Sequence, residues 1–217
     1  MKIILLGSPG TGKGTQANLI SKKFNIPNIC TSAILRNSFK RYSSSNIKNN
    51  IDNGILVKDN IVMSLIKERI KKKDCLKGFV LDGFPRNLSQ AKLFEKLKIN
   101  INHIIELFLP KEKIISRLTT GRMIHKSSGR TYHIKFNPPI KEKIDDITGE
   151  KLSYRKDDNI KIINKRLKEY FSKFKEIKYF YMKKKINYLT INSEESPNNV
   201  NKKIIKKIFK KSYCLKK

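Results

Sequence analysis

Paired cysteines, long apolar runs and histidine are all scarce in this chain of 217 residues. Its three cysteines, Cys30, Cys75 and Cys214, form no CxxC pair. Scattered in this way they read as reduced thiols, which places the chain in a cytoplasmic setting. No apolar run approaches the roughly 18 residues of a membrane-spanning helix, so no membrane partner is expected. The N-terminus enters a short apolar strand directly and does not read as a signal peptide. The three histidines fall in no Ser-His-Asp pattern, which leaves nucleophilic triad chemistry without its parts. Acids are few as well: 18 against 49 Lys and Arg, a formal charge of +31. Such a charge can mark a nucleic-acid binder. Here Lys, Asn and Ile dominate together and Lys is spread along the whole chain, the pattern of compositional drift, so no specific nucleic-acid partner is expected. Even in the Lys-rich tail, Ile204, Ile205, Ile208 and Phe209 recur at helical spacing, which makes the lysines a solvated face.

Arginine is the exception to the drift, with nine residues against forty lysines. Arg is retained where Lys fails: where a flat, two-point fork must grip phosphate or stack on a base. Each arginine is therefore a candidate site residue.

What is present is concentrated at the start. Ile3-Ile4-Leu5-Leu6 reads as a buried strand, Gly7-Ser8-Pro9-Gly10-Thr11-Gly12-Lys13-Gly14-Thr15 as a glycine loop, and Gln16 to Phe24 as a helix. Strand, glycine loop and helix make a phosphate-binding loop: backbone N–H groups turn inward, the helix N-terminus adds partial positive charge, and Lys13 adds a full one. Position 14 is Gly where a hydroxyl commonly stands, and the hydroxyl follows at Thr15.

Further along, strands are expected at Ile26 to Cys30, Gly78 to Asp82, His103 to Leu109 and Tyr188 to Asn192. Helices are expected from Thr31 or Ser32 to about Tyr42, over a short segment ending at Gly54, from Asp59 or Asn60 onward, over Ser89 to Leu97 and over Lys111 to Thr120. A long helix is expected from Asp157 or Asp158 to about Lys184, with a stripe of Ile163, Leu167, Tyr170, Phe171, Phe174, Ile177 and Tyr181. A last helix begins near Pro197. Gly121 to Asp158 reads as a small β-rich insertion with turns at Asn137-Pro138-Pro139 and Asp145 to Gly149. Alternating strands and helices predict an α/β fold: a parallel five-stranded sheet flanked by helices, with ligands at the carboxyl ends of the strands.

Several motifs in this order resemble the adenylate kinases of the long-lid type: GSPGTGKGTQ at 7–16, LDGFPR at 81–86 with Gln90, GRMIHKSSGRTYH at 121–133, KFNPP at 135–139, DDITGE at 145–150 and RKDD at 155–158. The resemblance runs from residue 1 to about 170 and more loosely to the end. It implies a phosphate-loop NTPase-type core (1–29, 58–120 and 159–217), an inserted AMP-side helical subdomain (30–57) and a β-rich lid (121–158). It also implies the reaction ATP + AMP ⇌ 2 ADP with Mg2+, in a monomer. Such transfer needs positioning and neutralised charge; the acceptor phosphate is largely dianionic at neutral pH and requires no general base.

By that resemblance Lys13, Arg86, Arg122, Arg155 and Arg166 are the catalytic cations. ATP would meet Gly10, Thr11, Gly12, Lys13, Gly14, Thr15, Arg122, Thr131, Tyr132 and Ser196, with Arg117 stacked on its adenine. AMP would meet Thr31, Arg36, the backbone of Ile55, Leu56 and Val57, then Gly83, Phe84, Pro85, Arg86, Gln90, Arg155 and Arg166. Asp82 would orient the waters of Mg2+. Arg41 and Arg69 are read as surface pairs and Arg130 as support for the insertion.

The chain also departs from the family. Thr31-Ser32-Ala33 stands where Thr-Gly-Asp is common, the 30–57 segment is two residues short, and Ser193 to Pro197 differs from the usual loop. Some family lids hold zinc through four cysteines; the corresponding positions here are His125, Ser128, Asp145 and Thr148. Two neutral hydroxyls bind zinc poorly, so a hydrogen-bond network joining the lid hairpins is expected in place of structural zinc. Rival readings are a kinase for UMP, CMP or GMP, or one using GTP, a basic nucleic-acid-binding ATPase, and a noncatalytic nucleotide sensor.

Overall fold

Ile3, Ile4 and Leu5 are fully buried and Leu6 nearly so, a pattern that only a central strand covered on both faces provides. The computed structural model describes residues 1–41, 58–154 and 158–214. In it this run is β1 (Lys2–Gly7), the middle strand of a parallel sheet. Its partners are β2 (Asn28–Cys30), β3 (Phe79–Asp82), β4 (His103–Phe108) and β8 (Asn187–Asn192), in the order β2-β3-β1-β4-β8. The alternation of side chains across the sheet divides the core. Ile3, Leu5, Val80, Ile105 and Leu107 pack on one face against α1 (Lys13–Phe24) and α7 (Pro197–Cys214). Ile4, Leu6, Leu81 and Ile104 pack on the other against α3 (Asp59–Ile70), α4 (Leu88–Glu95) and α6 (Ile160–Met182). Helix α2 (Thr31–Arg41) follows β2, and α5 (Lys111–Thr119) lies against the first turns of α6 through Ile114, Leu118, Ile163 and Leu167.

A second, antiparallel sheet of order β6-β5-β7 is built from β5 (Arg122–Ile124), β6 (Thr131–His133) and β7 (Ser153–Tyr154). The acid at the head of its DDITGE turn holds the turn itself: Asp145 Oδ2 accepts from the Thr148 N–H at 2.9 Å, and the Asp145 carbonyl accepts from the Gly149 N–H at 2.9 Å.

Every expected strand and helix among the described residues is present, with shifted ends. Helix α1 starts at Lys13, inside the glycine run, because Gly12 in the left-handed region already turns the chain into it. Strand β2 begins at Asn28, not Ile26, because the Ile26 N–H is spent on the Ser21 carbonyl that ends α1. Helix α6 begins at Ile160, not at Asp157 or Asp158, because the Asn159 side chain caps it by accepting from the Lys161 N–H. Two apolar assignments are corrected. Phe171 and Phe209 are 44% and 48% exposed, each at the edge of its helix's buried stripe. The short helix expected to end at Gly54 lies outside the described residues.

Candidate functional site

The strand order reverses between β3 and β1, the switch point where open α/β sheets bind ligands. The loop after β1 and the end of β3 flank that point. The glycine loop is compact for two reasons. Gly7 packs so close to β4 that a Cβ would lie 2.6 Å from the Leu107 carbonyl oxygen, and Gly10, at φ +84°, leaves only 3.0 Å to Ile114 and Leu118. The Thr11 hydroxyl (2.8 Å) and Lys13 Nζ (2.7 Å) both donate to the Ser8 carbonyl, closing the loop on itself. No side chain caps the start of α1 and its first turn holds no acid, so its leading N–H groups face the cleft as an anion seat.

That cleft has a volume of about 380 Å³, within the range of small-molecule sites. Its wall brings together Gly10, Thr11, Gly12, Lys13, Gly14 and Thr15 from the loop, and Asp82, Gly83, Phe84, Pro85 and Arg86 from the end of β3. Of the other expected residues, Arg117, Arg122, Thr131, Tyr132 and Arg166 also stand there. Lys13 is partly open to the cleft yet deep among protein atoms. Desolvation lowers its pKa to about 8, against the pull of Asp82, and Arg86, Arg166 and Arg122 push it further down. Four cations therefore act on one another in a single concavity. Asp82 faces the start of α1, its Oδ2 3.4 Å from where a Gly14 Cβ would stand. Burial raises its pKa, and Lys13 and Arg86 draw it back down. Arg122 Nε is paired with Asp158 Oδ2 at 3.0 Å. Arg86 Nε donates to the Gly83 carbonyl at 3.0 Å, which fixes the root of its fork.

Arg117 sits with its guanidinium 4.8 Å from the centre of the Phe136 ring and donates to the Ser193 carbonyl at 3.1 Å. It thereby joins the β8–α7 loop to the insertion. Tyr132 lines the cleft by its ring while its hydroxyl donates to Asp145 at 3.0 Å.

Three expected contacts do not line this cleft. The Thr31 hydroxyl donates to the Asp82 carbonyl at 3.1 Å, a tie from the first residue of α2 to the end of β3. The Gln90 amide is buried, its oxygen accepting from the Arg86 N–H at 2.8 Å and its nitrogen donating to Asp59 at 2.8 Å. Ser196 precedes α7 and is exposed, while its neighbours Ser193, Glu195 and Pro197 form the wall. The side chain of Arg36, and Ile55, Leu56, Val57 and Arg155, lie outside the described residues.

Sequence reasoning missed other wall residues. Cys30 and Ser32 line the cleft, with 3.3 Å between Sγ and Oγ. Tyr170, Phe174 and Ile177, read only as packing, also face it. Their helical spacing was visible, but nothing local told a cleft wall from a core. Phe136, under Arg117, stands in the KFNPP motif and could have been found there.

In the insertion, His125, Ser128, Asp145 and Thr148 do meet. His125 Nδ1 lies 2.7 Å from the Ser128 hydroxyl, Thr148 Oγ1 donates to Asp145 at 2.9 Å, and Thr148 Oγ1 stands 3.3 Å from His125 Nε2. Arg130 and Glu150 complete the group, Arg130 by a two-point pair to Asp145 and Glu150 through His125 Nε2. Among the described residues no three His, Cys, Asp or Glu side chains are grouped to hold a metal ion, and no helix is long and apolar enough to cross a membrane.

The family model for adenylate kinase matches residues 5–186. The adenylate kinase of Buchnera aphidicola subsp. Schizaphis graminum is 46% identical over 210 residues, which cover 94% of this chain and 98% of that protein. That of Buchnera aphidicola subsp. Cinara cedri is 50% identical over 208 residues, 94% of this chain and 95% of the relative. That of Photorhabdus laumondii subsp. laumondii is 49% identical over 185 residues, 84% and 86% respectively.

Proposed function

Since this chain belongs to the adenylate kinase family, we infer that Lys13, Arg86, Arg122, Arg155 and Arg166 form the charge clamp through which it carries out ATP + AMP ⇌ 2 ADP. The observation that carries this is the convergence of Lys13, Arg86, Arg122 and Arg166 at one helix N-terminus.

In this reading the ATP phosphates lie on the N–H groups of residues 10–15, with Lys13 across the β- and γ-phosphates. Its pKa is depressed first by desolvation and then by the cations around it, and polyphosphate charge offsets both by favouring the ammonium. Arg86, with Arg36, holds the AMP phosphate, whose own negative charge makes it the nucleophile without a base. Arg122, Arg155 and Arg166 stabilise charge on the transferred group. ATP adenine packs beside Arg117 and Phe136, near Thr131, Tyr132 and the loop reaching Ser196. AMP reaches Thr31, the backbone of Ile55, Leu56 and Val57, the Gly83–Phe84–Pro85 turn and Gln90.

The family uses ATP with Mg2+. Asp82 suits that ion: a buried carboxylate facing the phosphate loop, with the Thr15 hydroxyl in the same wall. Bound Mg2+ would supply charge to the β- and γ-phosphate oxygens; Asp82 would hold its waters. No structural zinc is assigned to the 125–148 network, and about one zinc per chain by elemental analysis would overturn that.

The proposed division is a core of 1–29, 58–120 and 159–217, an AMP-binding segment of 30–57 and a lid of 121–158 that closes to exclude water. The protein is read as a cytoplasmic monomer without a specific nucleic-acid or membrane partner; the spread of lysines along the whole chain supports the reading that it has no dedicated nucleic-acid face. A panel of ATP or GTP with AMP, CMP, UMP or GMP tests the assignment. ATP with AMP should be preferred by at least about tenfold, and preference for another acceptor overturns the proposed AMP contacts.

A further inference from the structure

Glu106 is an acid in a strand where Ile104, Ile105, Leu107 and Phe108 are its neighbours, and it is 5% exposed. One of its oxygens, Oε2, accepts three hydrogen bonds: from Lys178 Nζ at 2.9 Å, the Tyr188 hydroxyl at 3.0 Å and the Thr190 hydroxyl at 3.0 Å. Lys178 belongs to α6, whereas Tyr188 and Thr190 belong to β8, which pairs with β4 in register. The ammonium lies 6.0 Å from the Phe174 ring centre and 5.9 Å from that of Tyr188. Phe174 in turn stacks on Tyr170, 4.8 Å between centres at 21°.

Arg166, Tyr170, Phe174 and Lys178 follow one another at four-residue spacing, a single ridge of α6 spanning about 18 Å. Its far end, Arg166, lines the cleft and acts on Lys13. We propose that Glu106 and Lys178 are positioning residues: their contact fixes the axial register of α6 on the sheet and so sets where Arg166 stands over the phosphate loop. The proposal rests on the role given to Arg166 above.

The physical case is one of tolerance. Apolar contacts such as those of Ile177 and Tyr181 allow a helix to slide by fractions of an ångström with little change in buried area. A charge-assisted bond to an acid already held by two hydroxyls on the sheet does not. Because the helix is stiff, displacement at Lys178 is carried to Arg166, and about 1 Å of misplacement at a reacting centre can cost up to about 100-fold in rate.

The test is a double-mutant cycle on the full chain. It measures the single-turnover rate of phosphoryl transfer from ATP to AMP, steady-state KM values and thermal midpoints for K178M, K178R, R166K and R166K/K178M. K178M should lower the transfer rate about tenfold with both KM values within about twofold, and K178R should recover most of the loss. In the R166K background K178M should cost less than about twofold. The proposal is overturned if K178M lowers only the thermal midpoint, or if the two losses multiply. R166K at full rate would refute the Arg166 reading itself, whereas an impaired R166K beside a fully active K178M refutes the positioning role alone. Should K178M be unfolded, T190V removes one donor from the same oxygen and takes its place in the cycle.

Discussion

Arg130 holds Asp145 at two points, Nε to Oδ1 at 2.9 Å and Nη2 to Oδ2 at 2.6 Å, and the acid has almost no exposed surface. Tyr132 and Thr148 donate to the same carboxylate. The Arg130 guanidinium, first among these, holds its pKa well below the usual carboxylate range. A depressed folded pKa contributes stability that is present above the unfolded value, near 4, and is lost as pH falls below it. Asp145→Asn should therefore destabilise the 121–158 segment by about 2 kcal/mol near neutrality, a figure reduced for the partial exposure of Arg130. The gap from the native chain should shrink below about pH 4. Hydrogen exchange of the segment's amides across pH 3–7 measures it; a gap constant with pH would contradict the assignment.

Arg122 and Lys126 are both cations of the insertion, but Arg122 is paired to Asp158 inside the cleft while Lys126 is exposed. Arg122→Lys keeps the charge and loses the fork. It should lower kcat by about 100-fold, with Lys126→Arg within about twofold of the native chain. Equal kcat values for the two variants would remove Arg122 from the clamp.

Lys13 gives a proton signature. With its pKa lowered to about 8 in the free protein, a sizeable fraction of chains carry it neutral above that pH. The unfolded chain binds more protons there, so Lys13 destabilises the free protein below pH 8, and that penalty is relieved as pH rises from about 8 towards 10. Polyphosphate reverses the balance by favouring the ammonium. ATP binding at pH 8.5 should take up about half a proton or more, read as a buffer-dependent binding enthalpy, and Lys13→Met should abolish the uptake. Proton release on binding would contradict the site's electrostatics.

Most of the architecture was readable from pattern alone. Continuous apolar runs such as Ile3–Leu6 and Phe79–Leu81 can be buried on both faces only inside a parallel sheet, and the glycine loop marks its ligand edge. Lys13 and the scarce arginines stand out against a lysine background, and Lys13, Arg86, Arg117, Arg122 and Arg166 do line one cleft, although their individual roles were read from the family resemblance. What stayed hidden depends on distant pairing. Glu106 and Lys178 are 72 residues apart, and nothing local to either announces the other. Tyr170 and Phe174 sit in a stripe that reads as core whichever wall it forms. Arg130 and Asp145 both lie in quoted motifs, yet their pairing needs the two turns folded together.

Ser32 is a departure with a measurable consequence. It lines the cleft and its hydroxyl leans on Cys30, at 3.3 Å from Sγ. Ser32→Gly removes a Cβ from the cleft wall and, on the proposed AMP contacts, should lower KM for AMP about threefold to tenfold, with KM for ATP unchanged. A higher KM for AMP would show that the hydroxyl is itself a ligand contact.

The clamp is tested most directly by following the γ-phosphoryl of labelled ATP in the presence of AMP and Mg2+ in the native chain, Lys13→Met, Arg86→Lys and Arg166→Lys. The native chain should move the label into ADP formed from AMP, one AMP consumed per ATP. Each substitution should slow that transfer by about 100-fold or more while the chain stays folded. Label appearing as free phosphate, or transfer at the native rate in the three variants, would contradict the account.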